Sequence, residues 1–153
     1  MMLNFCVVSA SNQSLSMNAA LAMASCCAFA CATANANAAF ILSDWFEALT
    51  AQKFNIIVSN PPYIAAGDPH LARGDVRFEP ISALVSGGDG LHDIRHIAAH
   101  APDYLEPGGW LLLEHGYDQA AKVRELLQQA GFDVVFSACD LAGIERVSGG
   151  RIA

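Results

Sequence analysis

The run Phe54-Asn55-Ile56-Ile57-Val58-Ser59, followed at once by Asn60-Pro61-Pro62-Tyr63, constrains this chain more than any other part of it. The run is rich in β-branched residues and nearly continuously apolar, which is the pattern of a strand buried on both faces. Such strands belong to sheets covered by helices, so an α/β fold is expected. The prolines end the strand because neither has an N–H to give to a ladder. A residue before proline is pushed into extended geometry, so Asn60 should project straight beyond the strand. In open α/β sheets ligands sit at the carboxyl ends of strands, which makes this turn the expected place for a site.

The four residues suit one kind of ligand. The Asn60 side-chain oxygen and the Pro61 carbonyl can each accept one hydrogen of a planar –NH2 group, and Tyr63 offers an aromatic plane beside it. An amide nitrogen is a poor nucleophile because its lone pair is delocalised into the carbonyl. Holding both hydrogens favours the pyramidal nitrogen of the transition state and fixes its direction of attack. The plain alternative is a Pro-Pro strand end with Tyr63 packing locally. The flanking Asn and Tyr, directly after a buried strand, favour the functional reading.

The rest of the chain from about residue 40 alternates strand and helix signals. Phe40-Ile41-Leu42-Ser43 reads as the end of a strand, and residues 64–90, rich in Gly and Pro, read as a long loop. Leu91 to Tyr104 carries Leu91, Ile94, Ala98, Ala101 and Leu105 at helical spacing. Pro107-Gly108-Gly109 then turns into a strand, Trp110 to Leu113. A helix from Asp118 to Ala130 follows, stopped by Gly131. Phe132 to Ser137 reads as a third strand. Glu145 to Ser148 with Arg151-Ile152 reads as a last one, interrupted at Gly149-Gly150. This alternation predicts a parallel sheet covered by helices.

Charge divides the chain near residue 42. No Asp, Glu, Lys or Arg precedes Asp44, and four of the five cysteines (Cys6, Cys26, Cys27, Cys31) fall in that uncharged part. Residues 1–41 lack the basic start of a secretory signal. The Ala/Cys run from Ala19 to Ala34 falls short of the ~20 apolar residues of a membrane span. The cysteines have no zinc-like spacing. Residues 1–41 thus read as a divergent or frameshifted piece, and residues 42–153 as the domain that carries chemistry. The net charge of −7 disfavours direct nucleic-acid binding, which draws on clustered Lys and Arg.

Several pieces, in order, resemble one family. They are Ser43-Asp44-Trp45-Phe46, Ile57 through Ile64, Asp75-Val76-Arg77-Phe78-Glu79-Pro80, Asp89-Gly90, Leu113-Glu114-His115-Gly116 and Glu145-Arg146-Val147. Together they resemble the carboxyl-terminal part of the HemK family, the release-factor glutamine methyltransferases. The resemblance implies a class I S-adenosylmethionine-dependent methyltransferase (Rossmann-like) fold with sheet order 3-2-1-4-5-7-6. It implies a cytoplasmic enzyme that transfers a methyl group from S-adenosyl-L-methionine to the glutamine of the Gly-Gly-Gln loop of peptide-chain release factors. Asn60, Pro61, Pro62 and Tyr63 would then hold the substrate glutamine as the catalytic residues, and Asp44, Trp45 and Asn60 would touch the cofactor. No metal is implied. Adenine exocyclic-amine methyltransferases of DNA or RNA share the Asn-Pro-Pro-Tyr turn and form the rival enzyme class. A non-catalytic remnant is the rival outside the enzymes.

The chain departs from the family where the cofactor would sit. The family has a Gly-rich loop after its first strand and an acid ending its second. Here the first glycine is Gly67 and the first acid Asp44. Phe5-Cys6-Val7-Val8 could form a strand, but Ser9-Ala10-Ser11 is no glycine loop. The fold is therefore expected to be incomplete at its amino-terminal strands, with an apolar edge left open beside Ser59. Weak or absent cofactor binding is expected too. Of the remaining candidates, His92, His96 and His100 read as a solvated helix face. Glu114 reads as site-lining or structural, and His115 beside it as a lesser acid–base candidate. Arg77 and Glu79 read as braces of the loop beside the turn, and Cys139 as structural.

Overall fold

A computed structural model of the chain describes residues 5–8, 43–50, 52–72 and 74–153. Its centre is a pair of parallel strands, β2 (Phe54–Ser59) and β3 (Leu105–Glu114). Every residue of β2 except Asn55 is buried, as its apolar run requires. Ile57 lies opposite Leu111 and Ser59 opposite Leu113. Between the two strands the chain makes short 3-10 turns at Pro69–Ala72, Gly74–Phe78 and Ile81–Ala83, then helix α1 (His92–His100). Pro107-Gly108-Gly109 sits in a bulge of β3, since Phe54 pairs with Leu105 but Ile56 with Trp110. Helix α2 (Ala120–Gln129) leads to β4 (Phe136–Cys139) and β5 (Glu145–Arg151). With β1 (Phe5–Val8) the sheet order is β1-β2-β3-β5-β4.

The fold is mixed α/β, and β2-β3-β5-β4 reproduces the 4-5-7-6 half of the expected order. Ile57, Leu111 and Leu113 on one face meet Ile94, Ile97 and Ala98 of α1 and Val123 and Leu127 of α2 in one buried cluster. On the other face Ile56, Val58, Leu112 and Val147 form a second cluster, with Trp110 edge-on to Phe136 at 5.8 Å. The helical stripe read from the sequence is the buried one, with Ile97 added to it. Gly131 ends α2 at a φ of +90°, where a side chain would be strained.

Five expectations need correction. The sheet is not wholly parallel, because β5 runs antiparallel to both β3 and β4. The turn from β4 to β5 is too short for a crossover, and the Asp140 carboxylate closes it by accepting the Ala142 and Ile144 N–H groups at 2.8 and 3.0 Å. The third strand begins at Phe136, not Phe132. The Phe132 N–H closes the end of α2 on the Leu127 carbonyl at 3.1 Å, and its side chain is buried in the core. The last strand runs unbroken through Gly149-Gly150. The edge beside β2 is not open either. Among the described residues β1 pairs along it, antiparallel, from Phe5 opposite Ser59 to Val8 opposite Ile56. Phe40, Ile41 and Leu42 lie outside the described residues, and Ser43 opens a turn instead of ending a strand, its hydroxyl accepting the Ala48 N–H at 2.8 Å.

The two glycines of β5 are there for space. A Cβ on Gly149 would stand 2.5 Å from Leu112 Cδ2 and 2.8 Å from the Phe136 ring, and one on Gly150 would stand 2.7 Å from Phe132 Cβ. Gly149→Ala should therefore destabilise the chain by roughly 1–3 kcal/mol, the usual cost of overpacking a core. Gly88→Ala, with nothing within 4 Å of its Cβ, should cost far less. Paired urea denaturation curves check this; equal midpoints for the two variants would refute the packing account.

Candidate active site

Each residue of the Asn60-Pro61-Pro62-Tyr63 turn has a distinct environment. Asn60 is exposed at the carboxyl end of β2, while Pro61 and Pro62 are buried. Among the described residues, no hydrogen bond engages the Asn60 side chain or the carbonyls of Pro61 and Pro62. The turn thus presents acceptors that nothing in the described part of the chain uses. Everything after it is tied down. The Ile64 N–H donates to the Leu84 carbonyl at 2.9 Å, the Ser86 N–H to the Ile64 carbonyl at 2.9 Å, and the Ala66 N–H to the Gly87 carbonyl at 2.8 Å. Residues 64–90 are therefore a loop whose two arms pair beside the site.

Gln119 locks three segments together with one amide. Its Nε2 donates to the Tyr63 carbonyl at 3.0 Å and to the Gly90 carbonyl at 3.4 Å, and its Oε1 accepts the Gly116 N–H at 2.8 Å. Gly90 is required here for two reasons. Its φ is +73°, and a Cβ would overlap the Tyr63 carbonyl oxygen.

The Tyr63 phenol is held from two sides. It donates to Glu114 Oε1 at 3.2 Å and accepts from Arg146 Nη2 at 3.2 Å, and the Arg146 guanidinium lies 5.6 Å from the ring centroid. Strand register explains the meeting. Ser59 lies opposite Leu113, so Asn60 and Glu114 follow at one level, and Glu114 lies opposite Val147, next to Arg146. Burial, then the Glu114 charge, raise the Tyr63 phenol above its ordinary pKa, so it stays protonated. Burial also raises Glu114, against the Tyr63 hydrogen bond and the Arg146 charge, which lower it. Arg146 is the cation that compensates this half-buried carboxylate.

The loop returns into α1 through a second polar clasp. Ser86 Oγ accepts the Asp93 N–H at 2.8 Å and Asp89 Oδ1 accepts the Leu91 N–H at 3.1 Å, which satisfies donors at the start of the helix. Arg95 pairs with both Asp89 oxygens, and that bonding holds the carboxyl down at about 2.

Asp44 is exposed and Trp45 half-buried in the turn before β2. Trp45 has a φ of +46°, the left-handed region that a bulky side chain rarely adopts. Trp45 and Tyr63 pack on the same apolar cluster. His96 lies 6.0 Å from Trp45, centroid to centroid, and His100 lies 4.3 Å from His96. His96 is therefore half-buried against an aromatic, whereas His92 and His100 are exposed as expected. Arg77 stacks 4.6 Å over the exposed Phe78 ring, so the contact it makes is within its own loop. Among the described residues, the hydrogen bonds that tie the loop beside the turn come from Leu84 to Gly87 and from Gln119. Sequence reading passed over Gln119 and Arg146. Nothing in the sequence singles out Gln119, and Arg146 stands in Glu145-Arg146-Val147, where no local pattern gives it a role.

No family model matches the chain. Curated release factor glutamine methyltransferases do. The one from Xylella fastidiosa (strain 9a5c) is 58% identical over 108 residues, 71% of this chain and 39% of its own length. That from Pseudomonas aeruginosa is 61% identical over 111 residues, 72% and 40%. That from Burkholderia pseudomallei is 60% identical over 114 residues, 74% and 40%. The chain thus spans about two fifths of the length of the relatives it matches. A solved protein-(glutamine-N5) methyltransferase (release factor-specific) from Alicyclobacillus acidocaldarius is 31% identical and covers 65% of this chain and 49% of its own, at a TM-score of 0.42.

Gln119→Ala would leave the Gly116 N–H and the Tyr63 carbonyl without their partner. The expected loss is about 1–3 kcal/mol, from the desolvation of groups left unpaired. Tyr63→Phe, which leaves the backbone bonds in place, should lose about 1 kcal/mol. Urea denaturation of both variants checks the ranking, and a larger loss for Tyr63→Phe would reverse it.

Proposed function

We propose, from the likeness of this chain to release factor glutamine methyltransferases, that Asn60 to Tyr63 grip a glutamine side-chain amide for N-methylation. The observation that carries this reading is the pairing of free acceptors with a fixed frame. Asn60 and the proline carbonyls are unengaged among the described residues, while Tyr63, Ile64 and Ala66 are held by named bonds. A planar –NH2 can give one hydrogen to Asn60 Oδ1 and one to the Pro61 carbonyl without displacing a bond of the chain. Tyr63, kept protonated and clamped by Glu114 and Arg146, closes one side of the amide plane. The substrate is the Gly-Gly-Gln loop of peptide-chain release factors, met in the cytoplasm. The acidic chain and its scattered Lys and Arg favour this over an adenine in nucleic acid.

The family's methyl donor is S-adenosyl-L-methionine. Asp44, Trp45 and Asn60 are the residues assigned to it, and the strained Trp45 backbone is what a cofactor contact would explain. The rest of the cradle does not fit. β1 stands where the family's first strand belongs but runs antiparallel to β2, with Val8 opposite Ile56 and Phe5 opposite Ser59. β1 therefore ends, at Val8, at the end of the sheet opposite Asn60, and the sequence holds no glycine before Gly67. We therefore assign residues 42–153 the acceptor half of the reaction and derive no step through the donor.

Two titrations test the halves separately. A Gly-Gly-Gln peptide should bind the full chain, and Asn60→Ala should weaken it roughly tenfold or more, as expected when a site built for a polar group loses its partner. Unchanged affinity would remove Asn60 from the grip. S-adenosylmethionine added in a calorimeter should show weak binding or none; tight one-to-one binding would overturn the donor-side reading.

A further inference from the structure

The Asn60-Pro61-Pro62-Tyr63 turn cannot hold its own shape. Neither proline has an N–H to close it, and among the described residues no backbone hydrogen bond spans it. Its shape is therefore imposed at its two ends. At the first, β2 is paired with β3 up to Ser59 opposite Leu113. At the second, the peptide between Tyr63 and Ile64 is held on both edges. Gln119 Nε2 donates to the Tyr63 carbonyl at 3.0 Å, and the Ile64 N–H donates to the Leu84 carbonyl at 2.9 Å. The proline rings fix φ at Pro61 and Pro62. Few torsions remain between the two ends, so moving the Tyr63 end redirects the Pro61 carbonyl.

We propose that Gln119 is a positioning residue for the substrate grip, and that its side-chain donor, not its part at the start of α2, is what the site requires. The functional consequence rests on the amide-grip reading above; the pinning of the turn does not. Gln119 has a plainer task as well. Its Oε1 reaches back three residues to the Gly116 N–H at 2.8 Å, as Glu or Gln does in a capping box. That task needs only an acceptor, and near a helix start a carboxylate would serve it better than an amide. An amide is needed for the other edge, where Nε2 faces the carbonyls of Tyr63 and Gly90 at 3.0 and 3.4 Å. Reversed, the amide would set its oxygen against two carbonyls and its nitrogen against an N–H, so its partners fix its orientation. Gly90 closes the junction so tightly that a Cβ there would collide with both the Tyr63 carbonyl oxygen and Gln119 Nε2.

The pin is anchored in the core. The Gln119 backbone N–H donates to the Gly116 carbonyl at 3.1 Å, and its carbonyl accepts the Val123 N–H at 2.9 Å. Val123 and Leu127 of the same helix are buried with Ile57, Leu111 and Leu113, so the turn is tied through α2 to the sheet that delivers it. Gln119→Glu separates the two tasks of the side chain. It keeps the acceptor for Gly116 and loses the donor, leaving an oxygen opposite two carbonyls. Charged, that group repels the Tyr63 carbonyl; protonated, it can give the carbonyl a hydrogen again.

The test compares the full wild-type chain with Gln119→Glu and Gln119→Ala, by Gly-Gly-Gln peptide titration and by the NMR signal of the Ile64 backbone amide. At neutral pH Gln119→Glu should bind the peptide about tenfold more weakly, the scale of a buried acceptor left unpaired, and its Ile64 signal should shift. On acidification towards about pH 4, the ordinary carboxyl range, its affinity and its Ile64 signal should return towards wild type. Gln119→Ala, with no group to protonate, should be weakened at neutral pH and show no recovery. The carboxyls of Asp89, Glu114 and Asp118 are common to all three chains, so the difference between them reports the new carboxyl alone. A Gln119→Glu chain that binds as wild type at neutral pH, or whose loss persists in acid like that of Gln119→Ala, would overturn the proposal. If the wild-type chain binds no peptide, the amide-grip reading fails, and the Ile64 signal still decides whether Gln119 pins the turn.

Discussion

The parallel pairing of β2 with β3 is the constraint on which the rest depends. It buries Ile57, Leu111 and Leu113 against the two helices and Ile56, Val58 and Leu112 on the other face, so each strand must be apolar on both sides. Its register also decides the site. Because Ser59 stands opposite Leu113, the chain leaves β2 and β3 at the same level, and Tyr63 can turn back to reach Glu114. A slip of one residue would turn every side chain of a strand to the opposite face, so core and site are specified by the same pairing.

What could be read from the sequence follows from how local each signal is. The strand FNIIVS, its stop at two prolines and the stripe of α1 need only nearest neighbours and a period, and the structure agrees with all three. The glycines of β5 misled because Gly-Gly ordinarily marks a turn. Here the cause is long-range: Leu112, Phe136 and Phe132 occupy the space a side chain would need. Phe132 misled for the same reason, since an aromatic after a helix serves a strand or a core equally well. The antiparallel entry of β5 depends on the length of the Asp140 turn, which a reading of alternating elements passes over.

The same division holds at the site. Asn60 to Tyr63 announced themselves because their chemistry is contiguous. Gln119 lies 56 residues from Tyr63 and Arg146 lies 83 from it, and no pattern links them in one sequence. Glu114 could be noticed as a carboxylate at a strand end. Its partner could not, because the phenol reaches it only after the turn is folded.

The two ends of the sheet bear separately on the proposed acceptor and donor functions. The bonds that frame the Asn60-Pro61-Pro62-Tyr63 turn all lie downstream of Ser59, in β3, β5, Gln119 and the paired arms of the loop. A cofactor cradle would instead need backbone without side chains close to Asn60, delivered by a strand parallel to β2. β1 satisfies the backbone of the β2 edge in the opposite sense, which is sufficient for the sheet and wrong for the cradle. Edge pairing only requires that N–H and C=O groups meet, and either direction achieves that. Strand direction, unlike strand presence, is what decides whether the loop beyond it arrives at the site.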